Sequence, residues 1–291
     1  MWQGDLVVRI SYGGDIIFKI QEVTPQRVLL KGVEFRLLAD APMHDLTAIS
    51  EAGVQSIHRF IHTKVNESMR RVIQHQKKQK ELNQMRLREH DSDKHSYFEV
   101  PGKVLHLDGD SVYLHKSMNL YGEMRVPAEG FYVPEANMAE ALQRLLPQVK
   151  PDILVLTGHD GILKDRKNKD LRSLSSYKNS HHFVNAIKVA REFDRNRDSL
   201  VIIAGACQSY FEAMLQAGAN FASSPARVLI HALDPLYIAA KVSFTSIKNT
   251  VQIMDVIYHT FSGLEGLGGM ETRGCYRIGL PGLGKFMNGI K

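Results

Sequence analysis

Two nearly continuous apolar runs in the second half of the chain constrain its fold most strongly. Residues 152–161 read DILVLTGHDG and residues 199–209 read SLVIIAGACQS, so each apolar run ends in small and polar residues. Runs of this kind are typical of strands buried on both faces in a parallel sheet. Because the carboxyl ends of parallel strands meet at one edge, we expect an α/β fold with reactive groups on that edge.

Strand and helix patterns alternate around these two runs. Residues 103–110, KVLHLDGD, predict a strand that ends in acidic residues, and GFYV at 130–133 predicts another. Helices are predicted over residues 111–124, 136–149 and 181–193, and the second of them is amphipathic. Ser111 is the expected cap of the first helix, and the glycine-rich residues 263–291 predict a loop-rich closure. The alternation predicts a mostly parallel sheet with helices on both faces.

The first part of the chain has a different pattern. Closely spaced strand patterns, with turns at Gly13-Gly14 and Thr24-Pro25, predict a small SH3-like β barrel over residues 1–46. Residues 47–96 predict a basic helical linker, and residues 97–291 the α/β domain. Between residues 59 and 90, nine Lys or Arg stand against three Glu, which accounts for the net charge of +6. Charge confined in this way indicates a solvated helix and not a nucleic-acid-binding face.

Composition indicates the cellular compartment of the protein. No apolar run approaches the roughly 18–20 residues of a membrane span, and the N-terminal MWQGDLVVRI lacks the layout of a signal peptide. The two cysteines, Cys207 and Cys275, are too few for a disulfide framework and fit a reducing compartment. We therefore expect a cytoplasmic protein.

Reactive side chains follow three of the predicted strands. They are Asp108 and Asp110, His159 and Asp160, and Cys207. Thiol chemistry at neutral pH needs a thiolate, and an adjacent imidazole or helix N-terminus lowers the thiol pKa. Cys207 precedes a helix predicted from Gln208–Ser209, so both influences are expected there. The backbone N–H groups of Gly161 and Cys207 are the candidate oxyanion donors.

Each of these residues also has an ordinary structural interpretation. A cysteine after an apolar strand is often a core residue, and a histidine at a strand end can simply cap the strand. The two residues together favour a catalytic role over a structural one, because His159 lies 48 residues upstream of Cys207. That spacing, together with GACQS, is similar to the caspase layout of histidine and cysteine.

Longer blocks resemble one known family. KVLHLDGD, PDILVLTGHDG, AGACQSYFEAMLQAGANFASSPARVLIHALDP and GLEGLGGMETRGCYRIGLP are similar to the YabG family of sporulation-specific cysteine proteases. The resemblance extends over nearly the whole chain and implies a caspase-like fold of the clan that includes clostripain and gingipain. It implies that Cys207 is the nucleophile and His159 the general base. In that clan glycine usually follows the histidine directly, whereas here Asp160 precedes Gly161, which leaves the oxyanion donor open.

The resemblance also implies a substrate and a location. It implies cleavage after Arg or Lys in spore coat and cortex-associated proteins, in the mother-cell cytoplasm or at the spore coat, with no cofactor and no metal. An arginine substrate needs a carboxylate, for which the candidates are Asp108, Asp110, Asp160 and Asp234. Asp110 could equally serve only as a helix cap. Basic segments 164–170 and 271–277 are candidate self-cleavage sites.

Rival functions rest on weaker patterns. VLHLDGDSV fits a haloacid-dehalogenase-like phosphatase with Asp108 and Asp110 as its acids and Thr157 as a phosphate ligand, but no later acidic pair is present to hold Mg²⁺. A coat-associated scaffold without catalysis is the other alternative. GLPGLGKF at 279–286 lacks the Ser or Thr and the helix of a phosphate-binding loop. We expect His181-His182 to lie on a helix surface and Cys275 to be structural.

Overall fold

The structure, a computed structural model, describes residues 1–49, 51–90, 97–163 and 170–279. Within these ranges the strands, in chain order, are β1 Leu6–Arg9, β2 Ile17–Val23, β3 Val28–Gly32, β4 Leu38–Ala41, β5 Leu46–Ala48, β6 Phe98–Val100, β7 Val104–Asp108, β8 Ala128–Tyr132, β9 Ile153–Thr157, β10 Val201–Gly205, β11 Phe221–Ser223, β12 Thr250–Val251, β13 Leu267–Gly269, β14 Thr272–Arg273 and β15 Arg277–Gly279. The α-helices are α1 Glu51–His90, α2 Ser111–Glu123, α3 Met138–Val149, α4 Ser180–Phe193, α5 Phe211–Ala217, α6 Asp234–Phe244, α7 Ile253–Tyr258 and α8 Gly263–Gly266.

The N-terminal strands form a five-stranded antiparallel sheet in the order β4-β3-β2-β1-β5. Gly13 and Gly14, at φ of 74° and 75°, form the turn between the first two strands, a conformation that favours glycine. Alternate residues of β3 are buried, as expected for a sheet with one face on a core. The sheet lies where the sequence predicts a β domain, and its SH3-like closure stays a prediction.

Helix α1 spans 40 residues where the sequence predicts a helical linker. Val72 on this helix is fully buried, and Val65, Met69 and Ile73 pack against the same hydrophobic cluster, which includes Tyr237 of α6. These four side chains form an apolar stripe on α1, and this stripe packs against the α/β part of the chain. The division at residues 46 and 96 stays a prediction.

A six-stranded sheet in the order β13-β11-β10-β9-β7-β8 forms the centre of the α/β region. Its strands are parallel except β13, which runs antiparallel on the edge. One hydrophobic cluster joins the sheet to α1, α2 and α6, and a second joins it to α3, α4 and α5. The predicted α/β architecture with helices on both faces is confirmed, whereas the caspase-like detail stays a prediction.

Two local expectations about helix starts were wrong. Asp110, not Ser111, caps α2, because its side chain accepts hydrogen bonds from the backbone N–H groups of Val112 and Tyr113. The helix after Cys207 begins only at Phe211. The glycine-rich end contains α8, β13, β14 and β15 over residues 263–279, and residues 280–291 lie outside the described ranges.

In the described part of the chain, no helix is long and apolar enough to cross a membrane.

Candidate active site

The register of the central strands brings three strand ends level with one another. Thr157 at the end of β9 pairs with Asp108 of β7 on one side and with Gly205 of β10 on the other. Consecutive strands here lie about 4.8 Å apart. The residues that follow β9 and β10, His159 and Cys207, therefore leave the sheet at the same edge as Asp108.

The hydrogen bonds that hold His159 in place involve its backbone and not its ring. Its N–H donates to Oε1 of Glu135 (2.8 Å), and its carbonyl accepts from the side chain of Asn179 (2.7 Å). The ring stacks on Tyr113, with centroids 5.4 Å apart and planes inclined by 22°. Neither ring nitrogen has a hydrogen-bond partner among the described residues. Burial, followed by the positive charge of Lys31, lowers the pKa of His159 to about 3, so the imidazole is neutral in this structure.

Cys207 is fully buried in this structure. Its Sγ accepts a hydrogen bond from the N–H of Ile230 (3.2 Å) and lies 3.5 Å from the carbonyl oxygen of the same residue. Burial raises the pKa of the thiol to about 12, so the sulfur is protonated. Gln208 turns the chain at φ 54°, so α5 does not begin next to Cys207 and the expected helix N-terminus does not act on the thiol.

A loop from the N-terminal sheet lies against Cys207 and against Asp160, the residue after His159. The loop, residues 33–37, connects β3 to β4, and we call it the hairpin loop. On one side the N–H of Arg36 donates to the carbonyl of Ile230 (3.4 Å), and the N–H of Ala232 donates to the carbonyl of Glu34 (2.9 Å). On the other side, the N–H of Leu38 donates to the carbonyl of Asp160 (2.9 Å). The chain therefore runs between two backbone segments of the α/β region as an added strand does.

The carbonyl oxygen of Arg36 accepts hydrogen bonds from two backbone N–H groups. It accepts from the N–H of Cys207 (3.1 Å) and from the N–H of Asp160 (3.3 Å). Gly161, the donor suggested by the sequence, instead directs its N–H to Oδ1 of Asp160 (2.8 Å). The residue directly after the histidine, although not glycine, thus presents its amide beside that of Cys207.

The side chain of Arg36 is fully buried against Asp108. Nη1 and Nη2 donate to the two carboxylate oxygens at 3.0 and 2.8 Å, and Nε donates to the carbonyl of Ala232 (2.9 Å). The guanidinium also lies 4.9 Å from the ring centre of Tyr113. A bidentate pair of this kind in a buried pocket is a geometry that arginine can form and lysine cannot.

Asp108 is fixed in its charged form by its neighbours. Burial alone raises the pKa of a carboxyl group, but the Arg36 guanidinium and a hydrogen bond with His106 hold the pKa of Asp108 well below its usual range. Thr157 donates its hydroxyl to the same carboxylate (3.1 Å), and the N–H of Asp110 donates to it as well (2.9 Å). The pocket therefore offers a negative charge to a cation.

The other three candidate acids have different partners. Oδ1 of Asp110 caps α2, and the carboxylate of Asp160 accepts from Ser180 and Ser209. The carboxylate of Asp234 accepts the backbone N–H groups of residues 261 and 262, and burial raises its pKa to about 6 against those hydrogen bonds. Of the four, Asp108 is the one whose carboxylate binds the Arg36 guanidinium.

Glu135 is a site residue that sequence reasoning missed. Its carboxylate holds the N–H of His159 and occupies the space that a Cβ atom would take at Gly109 or Gly158, 2.3 Å from each ideal position. Burial raises the pKa of Glu135. The two glycines after β7 and β9 are the sequence signal of this close approach, but nothing in the sequence names the residue that fills the space.

The residues for which the sequence predicts no role in catalysis or metal binding lie in a hydrophobic cluster or in a helix turn. Cys275 is buried in the hydrophobic cluster beneath the sheet, and burial raises its pKa to about 12. His181 and His182 lie in the first turn of α4. In the ranges that the structure describes, no group of three or more His, Cys, Asp or Glu side chains is arranged to hold a metal ion.

Comparison with known proteins identifies the family of this chain. The model of the family described as YabG peptidase U57 matches residues 2–281. The sporulation-specific protease YabG of Bacillus subtilis (strain 168) is 42% identical over 283 residues, which cover 96% of this chain and 97% of that protein. No solved structure matches. The chain is therefore a peptidase. It belongs to the YabG family of sporulation proteases, which does not favour the phosphatase or scaffold alternatives.

Proposed function

We propose that this sporulation protease is a cysteine endopeptidase that cleaves after arginine, with Cys207 as nucleophile and His159 as general base. The observation that carries the proposal is the placement of Arg36. Its guanidinium is paired with Asp108 while its carbonyl oxygen accepts the N–H of Cys207. An arginine side chain and the carbonyl next to it thus occupy the positions that an enzyme of this specificity needs for its substrate.

The proposed reaction is a two-step hydrolysis. His159 takes the thiol proton as the sulfur of Cys207 attacks the carbonyl carbon of the arginine residue. The N–H groups of Cys207 and Asp160 stabilise the oxyanion. His159 then gives the proton to the leaving amine, which breaks the C–N bond and leaves a thioester. Water, deprotonated by His159, cleaves the thioester, releases the carboxylate and restores the thiol.

The pocket favours arginine over lysine in this proposal. The two oxygens of Asp108 match the two terminal nitrogens of a guanidinium, and the carbonyl of Ala232 takes the third N–H. An ammonium group satisfies fewer of these acceptors. The proposed natural substrates are spore coat and cortex-associated proteins with exposed arginine, cut in the mother cell or at the spore coat, and the resemblance to the family is the basis for that part.

Exchange of the two catalytic side chains tests the proposal. We expect Cys207→Ala and His159→Ala to lower kcat/KM for a fluorogenic peptide with arginine before the cut by at least about 10³-fold, as the loss of a nucleophile or base does. Cys275→Ala is the matched control, since Cys275 is the other buried thiol, and this variant should keep activity within about threefold. Circular dichroism establishes that each variant is folded. A folded Cys207→Ala variant with near-normal cleavage would contradict the proposal.

A further inference from the structure

We propose that the chain cuts itself between Arg36 and Leu37, so that the hairpin loop is a built-in cleavage site which keeps the enzyme closed until it is cut. The inference rests on the proposed cysteine endopeptidase function. It departs from the two self-cleavage segments suggested by the sequence. Residues 164–169 lie outside the described ranges, and Arg273 and Arg277 of the other segment belong to β14 and β15.

The backbone of the hairpin loop is bound in the way that proteases bind an extended peptide. Arg36 and Glu34 exchange hydrogen bonds with Ile230 and Ala232 in antiparallel fashion, and a parallel bridge joins Leu37 to Asp160 on the other side. Added-strand binding of this kind fixes the register of a peptide through main-chain groups. The register here places the Arg36 carbonyl, and therefore the Arg36–Leu37 bond, at Cys207.

The side chain of Arg36 binds residues of the α/β region and not residues of its own sheet. Its polar contacts are with Asp108 and Ala232, 72 and 196 residues away along the chain. Burial of an arginine is costly unless its donors are satisfied, and here the α/β region satisfies them. The N-terminal sheet thus carries an arginine whose partners all belong to the catalytic half.

The hairpin loop is shaped to present its carbonyl. The N–H of Leu37 donates to the carbonyl of Phe35 (2.8 Å), which makes a tight turn centred on Arg36, and the N–H of Gly32 donates to the carbonyl of Leu37 (2.9 Å). The carbonyl oxygen of Phe35 lies 2.3 Å from the ideal Cβ position of Gly32, so the turn requires glycine at that place. The turn leaves the Arg36 carbonyl directed at the two N–H donors.

The proposed reaction balances without a co-reactant other than water. The sulfur of Cys207 bonds to the carbonyl carbon of Arg36, the bond from that carbon to the nitrogen of Leu37 breaks, and the thiol proton passes through His159 to the new amino group. Water then replaces the sulfur, and Arg36 becomes a C-terminal carboxylate. Pairing of Lys31 with Leu38 and of Leu30 with Ala39 continues on both sides of the cut. The two fragments therefore stay together until the protein is denatured.

Intact mass after denaturation is the direct test. The wild-type chain, incubated at neutral pH, should separate into residues 1–36 and 37–291, with Leu37 as the new N-terminal residue, and the Cys207→Ala variant should stay whole. A wild-type chain that hydrolyses an arginine peptide but is never cut at this bond would overturn the inference and leave the proposed function intact. If both reactions proceed without Cys207, the proposed function fails as well.

A pair of arginine variants assigns the bond. Arg36→Gln should abolish the cut, while Arg27→Gln should leave it unchanged, because Arg27 lies half-exposed in the turn before β3. Should Arg36→Gln not fold, a synthetic peptide of residues 32–41 serves instead. The enzyme should cut it after its arginine and spare the same peptide with glutamine in that place. Equal cutting of both peptides, or no cutting of either by a preparation that hydrolyses other arginine peptides, would contradict the inference.

Discussion

At the scale of the single residue, the proposed specificity for arginine depends on Asp108. Two fully buried charges face one another, and each has further partners: Ala232 for Arg36, and Thr157 with the Asp110 amide for Asp108. An ion pair of this kind is costly to bury but more costly to break, since removal of one partner leaves a charge without compensation. Selectivity for arginine is therefore expected to depend on Asp108.

Replacement of that carboxylate gives a prediction at the residue scale. Asp108→Asn should reduce kcat/KM for arginine peptides by about 30- to 10³-fold, corresponding to about 2–4 kcal/mol for a buried charged pair. It should alter hydrolysis of a peptide with glutamine before the cut far less. Asp110→Asn is the matched control, because asparagine also caps helices. An equal loss on both peptides, or an equal effect of the two variants, would count against a specificity role for Asp108.

The sequence names some residues of the candidate site and not others, for a physical reason. Asp108 ends one buried strand, and His159 and Cys207 come after two others, so the apolar runs alone predict that the three lie at one edge. Arg36 and Glu135 join the site through folding, and their partners lie 72 and 24 residues away along the chain. No local pattern records such a contact, so a single sequence does not name them.

At the scale of the element, strands were predicted better than the turns that follow them. The runs that gave β7, β9 and β10 are buried over every residue. The start of α5 was misplaced because side chains hold the residues after Cys207 in a non-helical turn. Ser209 accepts the N–H of Ala206 (3.0 Å), and Ser180 of α4 accepts the N–H of Tyr210 (2.8 Å). Tertiary hydrogen bonds, and not local propensity, set that boundary.

The hairpin loop gives a prediction at the element scale. Gly32→Ala places a Cβ against the Phe35 carbonyl oxygen, so the turn must shift and the Arg36 carbonyl must move away from its donors. Self-cleavage should slow by at least about tenfold, since small misplacements of a reacting group have large effects on rate. Gly122→Ala in α2 is the control, because nothing lies within 4 Å of its added Cβ. The time course of fragment formation measures both, and equal rates would show that the turn does not position the bond.

At the scale of the whole molecule, the N-terminal sheet and the α/β region share one core. Cys207 and Ile230 belong to the same hydrophobic cluster as Val7, Phe18 and Leu30. The parts of the chain before and after the boundary predicted at residue 46 are therefore packed against each other. The N-terminal sheet packs over Cys207 of the proposed catalytic pair, a relation that neither half of the sequence reveals alone.

Closure of the site predicts the response of the thiol to pH. Because burial raises the pKa of Cys207 to about 12, the thiolate is scarce in the uncut chain at every pH well below that value. Iodoacetamide should therefore label Cys207 of the uncut chain poorly from pH 7 to pH 9, and faster only toward pH 12. Mass spectrometry distinguishes labelled uncut chains from cut ones and maps the label to Cys207 or Cys275. Labelling that rises with the ordinary thiol pKa near 9 would show that the site is open.

The hairpin loop and the groups that would cut it belong to one chain and are held at a fixed separation. The proposed self-cleavage within such an arrangement is first order, so the half-life of the uncut form should not depend on how many molecules are present. Dilution leaves that half-life unchanged, and neighbouring active molecules do not shorten it. The proportion of cut chains in a sample then measures the time since those chains folded.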